Sequence, residues 1–115
     1  MRVVEKGWGR EEIWADEPGY CGKNMVFEAG KRFSMHFHRT KDETWLIQSG
    51  EFTLLWIDAT DASEHEMTLL PGDIWRNAPL VPHQLICRKA GTVVEVSTFD
   101  DPNDNYRVRP GDNQR

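Results

Sequence analysis

Apolar and polar residues alternate over short runs along most of the chain, which is typical of strands that bury one face. Gly, Pro, Asp and Asn interrupt these runs at short intervals, and no stretch shows the period of a long helix. The pattern predicts nine strands, over residues 11–15, 23–28, 32–38, 43–48, 52–58, 65–70, 74–76, 83–88 and 92–99. So many short strands favour a β-sandwich or a barrel, and we expect an all-β protein.

Three polar segments predict the turns between the central strands. Residues 48–51 and 71–73 contain Gly beside polar residues, and residues 58–63 read as a polar hairpin loop. No internal repeat appears at solenoid or propeller periods. We expect the polar tail over 109–115 to fray.

Length and composition narrow the classes of protein. A chain of 115 residues holds one hydrophobic core, so we expect a single domain over 1–115. The net charge of −5, without a Lys/Arg cluster, argues against a nucleic-acid partner. No apolar stretch approaches the roughly 20 residues that span a bilayer, and the N-terminus lacks a signal-peptide pattern. We therefore expect no membrane association and a cytoplasmic location, where Cys21 and Cys87 stay free thiols.

Chemistry-bearing residues cluster in the strand predicted over 32–38. Period-two alternation places its residues on two faces: Phe33, Met35 and Phe37 on one, Ser34, His36 and His38 on the other. Glu43 begins the next strand, and His83 begins a later one. Imidazole and carboxylate together suit borderline divalent ions such as Zn, Mn, Fe or Ni. The sequence thus predicts one divalent metal ion held by His36, His38, Glu43 and His83.

The spacing of these residues resembles a known motif. From Gly30 the chain reads Gly, five residues, His-x-His, four residues, Glu, six residues, Gly, which resembles the first cupin motif. The segment LLPGDIWRNAPLVPHQL, with His83 as the last ligand, resembles the second. The resemblance implies a cupin fold, a double-stranded β-helix or jelly-roll barrel. With four protein ligands, a five- or six-coordinate metal keeps one or two positions for water or substrate and can act as a Lewis acid.

Beyond the metal motif, the chain resembles single-domain cupins of the mannose-6-phosphate isomerase type and the cupin module of mannose-1-phosphate guanylyltransferases. The residues that carry this resemblance are GWGREEIW over 7–14 and VEVSTFDDPNDNYR over 94–107. It implies a metal-dependent isomerase or epimerase with a sugar or sugar phosphate as its small-molecule substrate. Small cupins commonly pair as homodimers, and Trp8 and Trp14 are candidates either for that contact or for the core.

Such chemistry needs a group that moves a proton between adjacent carbons. The candidates are Glu28, Glu95 and Lys41. The candidates for substrate binding are a set of cations and aromatic rings: Arg107, Arg76, Trp45, Trp56 and Trp75. For Glu28, Glu95, Lys41 and Arg76 the alternative is a solvated surface charge, because such residues are mostly exposed.

Two other functions fit the same residues. Three His and one Glu also support ferrous iron, so an Fe(II)-dependent dioxygenase is one alternative. A non-catalytic sugar-binding module is the other.

Overall fold

A computed structural model of the chain describes residues 1–114 and shows eleven strands and one short 3₁₀ helix. The strands are β1 (Arg2–Lys6), β2 (Gly9–Asp16), β3 (Cys21–Phe27), β4 (Met35–Phe37), β5 (Glu43–Ile47), β6 (Glu51–Ile57), β7 (Glu64–Leu69), β8 (Ile74–Asn77), β9 (His83–Lys89), β10 (Gly91–Ser97) and β11 (Tyr106–Arg109). The 3₁₀ helix is Asp112–Gln114. Strands β2 to β10 correspond one to one to the nine predicted strands.

The strands form two antiparallel sheets. The six-stranded sheet has the order β1-β2-β3-β10-β5-β8, and the five-stranded sheet has the order β11-β4-β9-β6-β7. This arrangement confirms the prediction of an all-β protein. Within residues 1–114, no helix has the length and apolar character needed to cross a membrane.

The two strands that the pattern did not predict, β1 and β11, lie at sheet edges. All four residues of β11 are exposed, and three of the five in β1 are. The period-two signal comes from burying one face, so an edge strand without a buried face gives no such signal.

The predicted turns are present. Gly50 and Gly72 adopt φ values of 86° and 93°, a left-handed conformation that other residues rarely adopt. The Asp73 carboxylate accepts a hydrogen bond from the Leu70 amide at 2.7 Å and closes the second of these turns.

The strand predicted over 32–38 is regular only in β4, and this changes the position of one side chain. We expected Phe33 to share the face of Met35 and Phe37, away from the histidines. That expectation is wrong: the Phe33 ring centroid lies 5.1 Å from that of His36. Residues 32–34 make only an isolated bridge from Arg32 to Ile86, so the alternation does not extend back to Phe33.

A core of aromatic and aliphatic side chains fills the space between the sheets. Trp8 belongs to it and stacks on Phe27 with ring centroids 4.4 Å apart. Trp14, in contrast, is 49% exposed. Cys21 and Cys87 are buried free thiols, as predicted.

The C-terminal segment is fixed rather than frayed. The Asp112 carboxylate accepts a hydrogen bond from the Arg32 amide at 2.6 Å, and the Asp112 amide donates to the Arg32 carbonyl at 2.9 Å. The Asn113 side chain accepts a hydrogen bond from the Gly7 amide. Of the tail that we expected to fray, only Arg115 lies outside the described residues.

Candidate metal centre

Three histidine rings converge between the sheets. His36 in β4 pairs directly with His83 at the start of β9, and His38 follows β4 by one residue. Their ring centroids lie 4.7 to 5.7 Å apart, and one nitrogen from each ring lies within 4.8 Å of the other two. His36, His38 and His83 therefore form a candidate metal site, in line with the sequence prediction.

Backbone carbonyls fix the orientation of all three rings. The Nδ1 atoms contact carbonyl oxygens as follows: His36 with Ser34 at 2.7 Å, His38 with Asp104 at 2.6 Å and His83 with Val81 at 2.9 Å. A ring that donates Nδ1–H to a carbonyl presents the lone pair of Nε2, which is the tautomer that coordinates metals. Three such rings supply three nitrogen ligands.

Burial favours the neutral form of the His36 and His38 imidazoles. It lowers the pKa of His36 to about 3, and the neighbouring His83 and His38 lower it further in the same direction. Burial also lowers the pKa of His38. Since only a neutral imidazole coordinates a metal, the environment favours the ligating form.

Glu43 lies beside this group on β5. Its Oε1 atom is 2.9 Å from His83 Nε2, and both side chains are almost fully buried. Among residues 1–114, His83 Nε2 nevertheless has no hydrogen-bond partner. When His83 donates through Nδ1, its Nε2 lone pair faces a carboxylate oxygen, and two acceptors at this distance need a cation between them. The residues therefore fit a metal ion.

The other oxygen of Glu43 belongs to a buried network of charges. Two lysines join four carboxylates, with Lys41 Nζ near Glu43 at 3.2 Å, Glu95 at 3.0 Å and Asp100 at 3.1 Å, and Lys23 Nζ near Glu11 at 2.6 Å, Asp100 at 3.4 Å and Glu95 at 3.7 Å. Lys6 Nζ also lies 3.7 Å from Glu11, so three ammonium groups face four carboxylates, and a cation bound at Glu43 would add positive charge beside a cluster rich in carboxylates.

The network shifts the pKa values of its members in opposite directions. Burial and the nearby Glu43 carboxylate raise the pKa of Glu95 to about 7. Burial also acts to raise the pKa of Glu43, but Lys41 and His83 outweigh it and hold that pKa well below the usual range. The pKa of Lys41 rises despite its burial, because Glu95 and Glu43 stabilise the ammonium form. This environment favours the ammonium form of Lys41, which argues against Lys41 as the group that removes a proton.

A cavity of about 480 Å³, lined in part by His36, His38 and Glu43, opens towards solvent. Of the candidates from the sequence, Glu95, Lys41, Trp45 and Arg107 line it. Glu95 and Lys41 are buried, so the alternative of a solvated surface charge does not hold for them. Trp45 Nε1 donates a hydrogen bond to Glu95 Oε1 at 3.2 Å.

The remaining candidates lie elsewhere. Trp56 and Trp75 pack against the core with ring centroids 5.8 Å apart and do not line this cavity. Arg76 is exposed and forms two hydrogen bonds with Asp42, at 3.0 and 2.7 Å. Glu28 is exposed in the loop after β3.

Asp104 is a site residue that sequence reasoning missed. Its carboxylate accepts hydrogen bonds from the amides of Arg39, Thr40 and Lys41 at 2.7 to 3.1 Å, while its carbonyl accepts from His38. Burial raises the pKa of this carboxyl, but these hydrogen bonds outweigh it and the net shift is downward. Asp104 thus holds the loop that joins His38 to Glu43.

Comparison with solved structures places this geometry in a known fold. A capsular polysaccharide assembling protein, CapF from Staphylococcus aureus, has a TM-score of 0.79 at 17% identity, over 94% of this chain and 32% of its own. Lactobacillus farciminis oxalate decarboxylase, in a formate complex, has a TM-score of 0.80 at 15% identity, over 93% of this chain and 33% of its own. This is the cupin fold.

A third cupin structure is closer in length. KdgF from Halomonas sp. has a TM-score of 0.67 at 17% identity, over 82% of this chain and 81% of its own. The chain spans about a third of the length of the first two structures. No protein-family model matches the sequence, and no curated protein matches it. The likeness therefore concerns the cupin fold.

Proposed function

We propose that this cupin binds one divalent metal ion through His36, His38 and His83, with Glu43 as the fourth ligand. The observation that carries the proposal is the orphaned His83 Nε2, which faces the Glu43 carboxylate at 2.9 Å beside two further imidazoles with fixed tautomers. Zn, Mn, Fe and Ni all suit this ligand set.

The activity we propose is isomerisation or epimerisation of a sugar or sugar phosphate. The cavity volume falls within the range of small-molecule sites, about 300 to 1,000 Å³, and charged groups line it. The resemblance to the mannose-6-phosphate isomerase type supports a sugar substrate, as does the name of CapF, a capsular polysaccharide assembling protein.

In this proposal, the metal when bound supplies Lewis acidity to the carbonyl and hydroxyl oxygens of the open-chain sugar. Glu95 moves the proton between adjacent carbons. Its Oε2 atom is buried in the cavity wall without a hydrogen-bond partner in good geometry, although Lys41 Nζ lies 3.0 Å away. The Trp45 indole orients the other oxygen of Glu95, and Arg107 at the mouth holds an anionic substituent.

The His38→Ala variant tests the metal centre. Loss of one imidazole should weaken metal binding by more than about 100-fold, since even residues behind the ligands contribute about 10- to 100-fold. Metal affinity is measured by calorimetry on chelator-stripped protein. His65→Ala is the matched control, because His65 is exposed and stacks on Trp56 outside the cavity. Full metal occupancy in His38→Ala would falsify the assignment.

Elemental analysis and a turnover screen separate the alternatives. Iron in the purified protein, with oxygen uptake and no sugar isomerisation, would favour an Fe(II)-dependent dioxygenase, which the same ligands support. Sugar binding without turnover would favour a non-catalytic sugar-binding module. A homodimer also stays a prediction, which light scattering after size-exclusion chromatography tests.

A further inference from the structure

The C-terminal segment builds part of the cavity mouth. Arg107, Asn113 and Gln114 all line it. Arg107 in β11 pairs directly with His36 in β4, and directly opposed residues of antiparallel strands project to the same face. Among the described residues, the Arg107 side chain has no ion pair or hydrogen bond. Its guanidinium group is therefore free on the face that carries a metal ligand.

The two amide side chains have fixed orientations. Asn113 accepts a hydrogen bond from the Gly7 amide through Oδ1, and Gln114 accepts one from the Gly111 amide at 2.8 Å through Oε1. Because a backbone N–H only donates, each side chain must turn its oxygen to the backbone. The NH₂ groups make no hydrogen bond within residues 1–114 and remain as donors.

Nearby acidic groups are already engaged. Asp101 also lines the cavity, and its carboxylate accepts a hydrogen bond from the Asn103 amide at 2.9 Å. Asp100 contacts both Lys23 and Lys41. The Arg107 guanidinium group and the two amide NH₂ groups thus remain as donors without a partner among residues 1–114, beside the second carboxylate oxygen of Asp101.

We propose that Arg107, Asn113 and Gln114 form an oxyanion subsite, which binds the phosphate or carboxylate group of a sugar-derived ligand at the mouth of the cavity. A guanidinium fork with two amide donors matches the several acceptor oxygens of such a group. This inference rests on the proposed function and adds to it the charged part of the substrate. The polyol end of the ligand then extends towards the histidines.

The double variant Asn113→Asp/Gln114→Glu tests the subsite. Each new carboxylate keeps the oxygen that accepts the backbone hydrogen bond, but replaces the NH₂ donor with a negative charge. Gln48→Glu is the matched control, because it adds a charge at an exposed turn outside the cavity. The probes are mannose 6-phosphate and mannuronate, titrated into metal-loaded protein, with metal affinity measured in parallel.

We expect the double variant to weaken binding of the anionic sugar by about tenfold or more, as loss of hydrogen bonds to a charged group implies, with less than about a twofold change in Gln48→Glu. Metal affinity should stay at the wild-type value. Weakening of mannose 6-phosphate alone assigns a phosphate, weakening of mannuronate alone assigns a carboxylate, and weakening of both supports the shared oxyanion chemistry. Equal affinities in wild type and double variant would overturn the subsite.

The subsite and the metal centre can fail separately. If the wild type binds metal but neither anionic sugar, the subsite is wrong and the metal centre stands. If the wild type binds no metal, the proposed function fails, and both sugars are titrated into the metal-free protein. Binding there that the double variant weakens supports the subsite, whereas no binding overturns it.

Discussion

The two sheets contribute different chemistry to one cavity. The five-stranded sheet supplies imidazoles, His36 on β4 and His83 on β9, each fixed by a backbone carbonyl. The six-stranded sheet supplies charges, and its register sets them side by side: Glu95 on β10 lies opposite Lys23 on β3 and opposite Trp45 on β5. Each sheet thus presents a row of functional groups on its inner face.

The imidazoles of one sheet and the charged groups of the other are accommodated in the protein interior in different ways. The His36 and His83 rings each make one hydrogen bond to a backbone carbonyl only two residues away along the chain. Buried charges need opposite charges, and these come from distant segments, since Lys23 and Asp100 are 77 residues apart. An isolated buried charge is costly. The charged wall, formed by Lys23, Lys41, Glu43 and Glu95, therefore depends on long-range pairing more than the imidazole wall, formed by His36 and His83, does.

The largest effect should follow from Lys41→Met, which removes the cation shared by Glu43, Glu95 and Asp100. Breaking a buried ion pair by deleting one partner costs about 3 to 5 kcal/mol, because the remaining charges stay unpaired. Chemical denaturation of metal-free protein measures this loss.

The exposed Lys31 offers the control, Lys31→Met, which should change stability by less than about 0.5 kcal/mol. Metal should stabilise Lys41→Met more than it stabilises the wild type, because the cluster then lacks a positive charge. Wild-type stability in metal-free Lys41→Met would show that the carboxylates do not depend on this lysine.

The next effect should follow from Asp104→Ala, which leaves the amides of Arg39, Thr40 and Lys41 without their acceptor. We expect a loss of about 2 to 3 kcal/mol and weaker metal binding, because the same residue supports the loop after His38. Asp101→Ala is the control, since in the described part of the chain that carboxylate accepts a hydrogen bond only from the Asn103 amide. Identical metal affinities in the two variants would show that the loop held by Asp104 does not influence metal binding.

Local pattern predicted much of this molecule. Nine strands and their turns carry period-two or turn signals, and the His-x-His pair with Glu43 and His83 carries a recognisable spacing. These features depend on residues close together along the chain, so they can be recognised in a single sequence without knowledge of long-range contacts. The all-β architecture follows from the strand and turn signals, and the cupin fold is what the resemblance of the His and Glu spacing to the cupin motifs implies.

What local pattern did not predict depends on distant contacts. The pattern does not single out Lys23 or Glu11, because their pairing depends on the contacts between β2, β3 and β10 and on the loop that carries Asp100. The tail resembled a polar extension, yet its Asn113 meets Gly7, 106 residues away. Trp56 and Trp75 were candidates for substrate binding, but their rings pack against the core instead.

The smallest effect, and the most direct contrast between the two walls, concerns pH in the metal-free protein. His36 has a folded-state pKa of about 3, below the unfolded value near 6.5, so its contribution to stability is full above pH 6.5 and is lost as pH falls. Glu95 has a folded-state pKa of about 7, above the unfolded value near 4.5, so its effect is opposite: stability is lost as pH rises towards 7. Between pH 5 and pH 7 each contribution amounts to about 2 kcal/mol, and the two should largely cancel in the wild type.

Glu95→Gln should therefore lose stability on acidification from pH 7 to pH 5, whereas His36→Gln should gain stability over the same range. Urea denaturation at each pH measures both changes. Parallel pH profiles for both variants would mean that the imidazole wall and the charged wall do not titrate in opposite senses.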